Sequence, residues 1–225
     1  DRAGGGVTTM SDESLKARFD AAFSALPLVA ILRGLTPAEA EGIAQTLYDS
    51  GFRMIEVPLN SPDPFDSIAA VRRLLPRDAL VGAGTVLAVE QVARLKEIGA
   101  DLVVMPHADT AVIRAAKAAG LVSLPGIATP TEAFAALSAG ADALKIFPAE
   151  LVGPRIIKAM RAILPAGTRL LPVGGIAPDT MAPFLEAGVA GFGLGSALYA
   201  PGLSAAEVGA RADAFVAAWR RLNPR

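Results

Sequence analysis

The sequence predicts an α/β fold, a closed (β/α)8 barrel preceded by one extra N-terminal helix, and three observations carry that expectation. Eight short apolar runs alternate strictly with longer Ala-rich stretches of helical spacing, the pattern of parallel strands joined by crossover helices. Eight is the number of such strands that closes a barrel, and a chain of 225 residues suits an α/β barrel built as one domain. The alternative, an open doubly wound sheet, calls for a glycine fingerprint after the first strand. Arg33-Gly34-Leu35-Thr36 stands there instead.

The elements follow in order. Within residues 11–26, Leu15, Phe19 and Phe23 fall at i, i+4 and i+8, one apolar stripe suited to a helix that plugs the bottom of the barrel. The same stripe on a partner-binding helix is the other reading. Strands are expected over 29–33, 54–59, 80–85, 102–106, 121–126, 143–148, 169–174 and 191–196. Helices are expected over 37–49, 63–75, 88–98, 109–119, 131–139, 153–164, 178–187 and 204–222. Two helix starts are marked independently of hydrophobicity. Thr36-Pro37-Ala38-Glu39 and Thr129-Pro130-Thr131-Glu132 each pair a Thr cap with Pro at the first helical position and Glu three residues after the cap. Gly51, Gly99, Gly120, Gly140 and Gly188 supply the left-handed residue that stops a helix.

Composition excludes several function classes. Hydrophobic residues make up 52% and charged residues 19%, with positive mean hydropathy, so the chain is not disordered as a whole. The 21 basic and 22 acidic residues nearly cancel, and no basic run exceeds a pair, which argues against a nucleic-acid partner. The chain has no Cys and one His, His107, so thiol chemistry is excluded and no metal site is expected. Residues 187–206 are uncharged but carry five Gly and one Pro, too broken for a membrane span. The Gly-rich first nine residues lack the apolar segment of a secretory signal. Met10 reads as the natural start, residues 1–10 as a disordered or appended tail, residues 11–225 as the single domain, and the cytoplasm as its location.

Strands of a parallel barrel are buried on both sides, so a charge within one needs a reason. Period-two alternation sends Leu144 and Ile146 towards the helices and Ala143, Lys145 and Phe147 into the lumen. The same count turns Ile55, Val57 and Leu59 outward and Glu56 inward. A buried ion pair is the structural reading, yet two desolvated charges stabilise a fold no better than well-packed apolar residues. In the functional reading, desolvation lowers the Lys145 pKa, giving free amine that attacks a ketone, while Glu56 moves protons beside it. That pair is the minimum apparatus for Schiff-base chemistry without metal or cofactor.

Other candidates lie at strand ends. Arg33, in phase with Val29 and Ile31, is either a rim residue paired with a carboxylate or a fork for a substrate carboxylate. Gly174-Gly175 and Gly195-Ser196 fall after strands seven and eight, where barrels bind phosphate through backbone N–H groups. Tight strand-to-helix turns are the alternative use of those glycines. Gly82-Ala83-Gly84-Thr85 leaves room for a ligand and offers the Thr85 hydroxyl. Pro106 ends strand four beside His107, which reads as a solvated loop residue more readily than as a catalyst.

Together these motifs resemble the class I 2-keto-3-deoxy-6-phosphosugar aldolases. Ile55-Glu56-Val57, Gly82-Ala83-Gly84-Thr85-Val86, Pro125-Gly126, Leu144-Lys145-Ile146-Phe147-Pro148-Ala149-Glu150, Gly174-Gly175-Ile176 and Gly195-Ser196 stand in family order across nearly the whole chain from residue 26 to 222. The resemblance implies that Lys145 is the Schiff-base lysine, that Glu56 is the acid/base, and that Gly174, Gly175, Gly195 and Ser196 hold the 6-phosphate. Thr85, Pro106 and Phe147 join the implied substrate-binding set, and a homotrimer is the implied assembly. Leu59-Asn60-Ser61 and Val173 depart from the phosphogluconate branch, which has Leu-Arg-Thr and Thr at those places. Asn60, Val173 and Arg33 instead resemble the phosphogalactonate branch, with Arg33 taking the pyruvyl carboxylate. A phosphogluconate substrate, a metal-free isomerase or epimerase on the same barrel, and a non-catalytic phosphosugar sensor are the competing readings.

Overall fold

The computed structural model describes residues 14–223; the expected tail at residues 1–10 lies outside them. Helix α1 (Leu15–Ala25) precedes strand β1 (Leu28–Ile31), and strands and helices then alternate: α2 (Pro37–Asp49), β2 (Met54–Pro58), α3 (Pro64–Leu74), β3 (Leu80–Gly84), α4 (Val89–Glu97), β4 (Leu102–Val104), α5 (Thr110–Ala118). The second half holds β5 (Val122–Leu124), β6 (Gly126–Ile127), α6 (Pro130–Ala139), β7 (Leu144–Ile146), α7 (Pro154–Arg161), β8 (Leu170–Pro172), α8 (Met181–Glu186), β9 (Phe192–Leu194) and α9 (Ala205–Leu222). Every ladder is parallel. A six-stranded curled sheet runs β5-β4-β3-β2-β1-β9, and a three-stranded sheet runs β6-β7-β8.

Local chemistry explains where these elements differ from expectation. The run over 121–126 is divided into β5 and β6 at Pro125, which has no N–H to give to a ladder. Its carbonyl still accepts from Lys145 N at 2.9 Å. Helix α8 starts later than expected because Thr180 Oγ1 accepts from Ala177 N at 2.9 Å and donates to Ala177 O at 3.1 Å, holding a turn before it. Thr129 forms a reciprocal capping box, accepting from Glu132 N at 3.4 Å while Thr129 N donates to Glu132 Oε2 at 2.9 Å. At Thr36 the Glu39 half of the box forms, Thr36 N donating to Glu39 Oε2 at 3.4 Å, and the Thr36 hydroxyl donates to the same oxygen at 2.6 Å. The five expected helix-stopping glycines all have positive φ.

Alternation along the strands divides the core in two. Leu28, Ala30, Ile55, Val57, Leu144 and Ile146 pack outward against the helices. Val29, Met54, Leu80, Leu102, Leu124 and Leu171 point the other way and form an inner cluster with Phe19, Ala22 and Phe23 of α1. The apolar face of α1 thus covers one end of the interior and leaves the strands' carboxyl ends to form the other.

A buried charge cluster locks that covered end. Asp101, 5% exposed, accepts from Arg18 Nη1 of α1 at 3.0 Å, from Arg72 Nη1 of α3 at 2.5 Å and from Val81 N at 3.1 Å. Arg18 Nε also donates to Arg77 O at 2.6 Å. Each charge is paired and its remaining hydrogen-bonding capacity is largely used, the condition under which buried ions are tolerated. Asp101→Asn strands two guanidinium groups beside one neutral amide. We expect it to lower unfolding free energy by about 3 kcal/mol, read by urea denaturation.

Candidate active site

Glu56 sits in β2 with Ile31 and Gly82 as its ladder neighbours, and Lys145 sits in β7 between Gly126 and Leu171. Both side chains point inward, 1% and 6% exposed, and share a small apolar cavity with Val29, Ile31, Val104, Leu124, Leu171, Val173 and Gly193. They are not among the ion pairs made by the described residues, and Glu56 Oε2 has no hydrogen-bond partner there. Gly84 makes room for that carboxylate, since a Cβ on it would collide with Glu56 Oε2. Gly82 admits the Leu102 backbone. The small residues of β3 therefore serve the carboxylate and the strand packing, where the sequence suggested space for a ligand.

The electrostatics follow from burial. Burial pushes the Glu56 carboxyl up to about 7, against the opposing pull of the Lys145 and Arg33 charges. Burial also depresses the Lys145 amine; the Glu56 charge opposes this and Arg33 adds to it. Each group is thereby brought closer to a pH at which it can exchange a proton, as acid/base and nucleophilic chemistry require. Lys145 Nζ lies 4.7 Å from the centroid of the Phe147 ring, which stands 37% exposed at the mouth.

Above this pair opens a larger cavity that reaches Lys145 from outside. Its lining includes Arg33, Asn60, Phe147, Val173, Gly174, Gly175, Gly195 and Ser196. Arg33 Nη1 donates to Asn60 Oδ1 at 2.5 Å and, more distantly, to Thr85 Oγ1 at 3.5 Å, so the guanidinium is held by neutral oxygens and is not among the ion pairs made by the described residues. Thr85 adopts φ 52°, costly for a β-branched residue. Among the expected site residues, Thr85 and Pro106 do not line either cavity. Thr85 reaches the site through Arg33, and Pro106 packs its carbonyl against Gly126. His107 is exposed outside both cavities.

Three residues to which the sequence alone assigns no role join the site. Ser61 Oγ accepts from Gly34 N at 2.9 Å and ties down the loop that carries Arg33. Tyr199 lines the mouth with a buried hydroxyl that has no partner among the described residues. Glu150 lies against the Gly174-Gly175 turn; its place soon after Lys145 was the available signal. Among the described residues no group of three His, Asp or Glu side chains could hold a metal ion, and no helix is long and apolar enough to cross a membrane.

An inward amine, a protonatable carboxyl sharing its cavity and a guanidinium at the mouth, on an α/β frame, form a site able to attack a carbonyl and move protons beside it. The family model for KDPG and KHG aldolases matches residues 19–211, and the chain belongs to that family of aldolases. It is 51% identical over 193 residues to a Rhizobium meliloti (strain 1021) protein named "Probable 2-dehydro-3-deoxy-6-phosphogalactonate aldolase", covering 86% of this chain and 91% of that one. It is 49% identical over 195 residues to the 2-dehydro-3-deoxy-6-phosphogalactonate aldolase of Escherichia coli (strain K12), covering 87% and 95%. A solved structure described as native KDPGal superposes with a TM-score of 0.86 at 48% identity, over 88% of this chain and 96% of the other. The isomerase and sensor readings give way to the aldolase family.

The raised Glu56 pKa carries a stability consequence. Between its ordinary value of 4.5 and about 7, the folded state holds a proton that the unfolded state releases, so this contribution is full below the ordinary value and is lost as pH rises through about 7. Glu56→Gln removes that dependence. We expect wild-type unfolding free energy to fall relative to the variant by roughly 1–3 kcal/mol between about pH 5 and about pH 8, measured by denaturation at each pH.

Proposed function

We propose that this chain is a class I aldolase that cleaves 2-dehydro-3-deoxy-6-phosphogalactonate to pyruvate and glyceraldehyde 3-phosphate. The observation that carries it is the inward Lys145–Glu56 pair beneath a mouth that holds Arg33, in a chain about half identical to relatives named for that substrate.

Lys145 Nζ attacks the C2 ketone while Arg33 holds the C1 carboxylate as a two-pronged donor. Glu56 in its acid form protonates the carbinolamine hydroxyl, which leaves as water and gives the protonated imine. Glu56 in its base form takes the C4 hydroxyl proton. The C4 oxygen becomes a carbonyl, the C3–C4 bond breaks, and its electron pair moves into the enamine. The aldehyde departs, C3 takes a proton, and water hydrolyses pyruvate from Lys145. A carboxyl that titrates near neutrality serves both proton steps. Phe147 caps the amine, and Asn60 and Thr85 orient Arg33. Gly174, Gly175, Gly195 and Ser196 take the 6-phosphate through backbone N–H groups and the Ser196 hydroxyl. Val173 presents methyl groups next to the substrate hydroxyls and thereby sets epimer choice, because polar groups left unpaired discriminate strongly. Pro106 keeps a substrate-binding place only as a wall behind Gly126.

The frame for this chemistry is a closed eight-stranded barrel with α1 as its bottom plug. Three features support it: β5 and β6 are consecutive around Pro125, one parallel bridge joins Val173 to Gly193, and Ala190 N donates to Leu170 O at 2.9 Å. Residues 11–225 form one domain, the protein works in the cytoplasm, and its assembly is a homotrimer.

Two experiments test this reading. Incubation with pyruvate and borohydride should leave a reduced pyruvyl adduct on Lys145, seen by mass spectrometry, and Lys145→Met should lower kcat by roughly a thousandfold or more. An active enzyme with Lys145 unmodified would end the Schiff-base assignment. kcat/KM for the galactonate and gluconate epimers, measured side by side, should favour the galactonate epimer. Val173→Thr should move that ratio towards the gluconate epimer by about tenfold; a wild-type preference for the gluconate epimer would refute the roles of Asn60 and Val173.

A further inference from the structure

Glu150 follows β7 in the loop that crosses the mouth, and it lines the same cavity as Lys145, Arg33 and Ser196. Its side chain lies over the Gly174-Gly175 turn: a Cβ on Gly174 would collide with Glu150 Oε2, and one on Gly175 would come within 2.9 Å of Glu150 Cγ. Both glycines have positive φ, 113° and 67°, so consecutive bare backbone is presented to the cavity with the carboxylate as its neighbour. Glu150 is exposed and is absent from the ion pairs among the described residues. An anionic side chain is therefore parked, without a cationic partner, on the turn proposed to receive an anion.

Two like charges cannot share that turn without strong repulsion. We propose that Glu150 is a specificity-determining residue, an internal anion that competes with phosphate for the Gly174-Gly175 turn and limits how tightly phosphorylated ligands are held. The inference rests on the proposed phosphate role of that turn. Phosphate binding rotates the Glu150 side chain away into solvent, which its exposure permits. When the phosphorylated aldehyde leaves, the carboxylate returns to the turn and opposes rebinding of product or of free phosphate. Pyruvate carries no phosphate and is not subject to this competition.

The test is titration of the full-length wild type and of Glu150→Gln with inorganic phosphate, followed by 31P NMR or calorimetry, with pyruvate as the reference ligand. Glu150→Gln keeps the shape and removes the charge, so it should bind phosphate about three- to tenfold more tightly than wild type, with a lower KM for the phosphorylated substrate. Equal or weaker phosphate binding by Glu150→Gln, with wild type still binding phosphate, would overturn the role of Glu150 and leave the phosphate turn standing. If neither protein binds phosphate while pyruvate still forms its trapped adduct, the phosphate turn itself fails, and Glu150's role fails with it.

Discussion

Everything at the mouth depends on holding an amine and a carboxyl out of water without letting them neutralise each other by direct contact. Taking either charge into an apolar interior is costly, and the response of the groups is to shift towards their neutral forms. For Glu56 that moves the carboxyl to about 7, and for Lys145 it lowers the amine. A close ion pair would have done the opposite, fixing both charges and removing the free amine. The absence of a side chain on Gly84 leaves room for the carboxylate, and Val29, Val104, Leu124 and Leu171 wall the shared cavity with apolar surface.

The two ends of the interior treat charge in opposite ways. At the covered end Asp101 is saturated by Arg18, Arg72 and a backbone N–H, an arrangement that makes α1 a fixed cover. At the open end Arg33 donates to the neutral oxygens of Asn60 and Thr85, Glu56 Oε2 has no hydrogen-bond partner among the described residues, and Glu150 rests on bare backbone. Unspent hydrogen-bonding capacity costs stability, and at the open end Glu56 Oε2 and the Tyr199 hydroxyl carry it.

Some of this was legible in one dimension. Period-two alternation placed Lys145 and Glu56 inside, because side-chain direction along a strand is a local property of the backbone. The Thr129 cap and the helix-ending glycines were equally local. The Asp101 cluster was not, since Arg18, Arg72 and Asp101 are brought together only by the packing of α1 and α3 under the strands. The break at Pro125 was visible as a proline in an apolar run, but the ladder that tolerates it, through its carbonyl to Lys145, depends on the neighbouring strand. Thr85 and Pro106, which the resemblance places in the substrate-binding set, stand outside both cavities, because a position at a strand end fixes a residue's height in the fold and leaves its contacts open.

The sequence by itself determined the alternating α/β order, the inward phase of the two ionisable residues and the family motifs. Each of these depends on spacing along the chain. Tertiary structure alone decided that Glu56 and Lys145 share one apolar cavity without pairing, that Asn60 and Thr85 aim Arg33, and that Glu150 lies across the glycine turn. Desolvation, guanidinium orientation and the seating of a carboxylate on a turn all arise between residues distant in sequence, and they take their values only from the distances and burial that packing imposes.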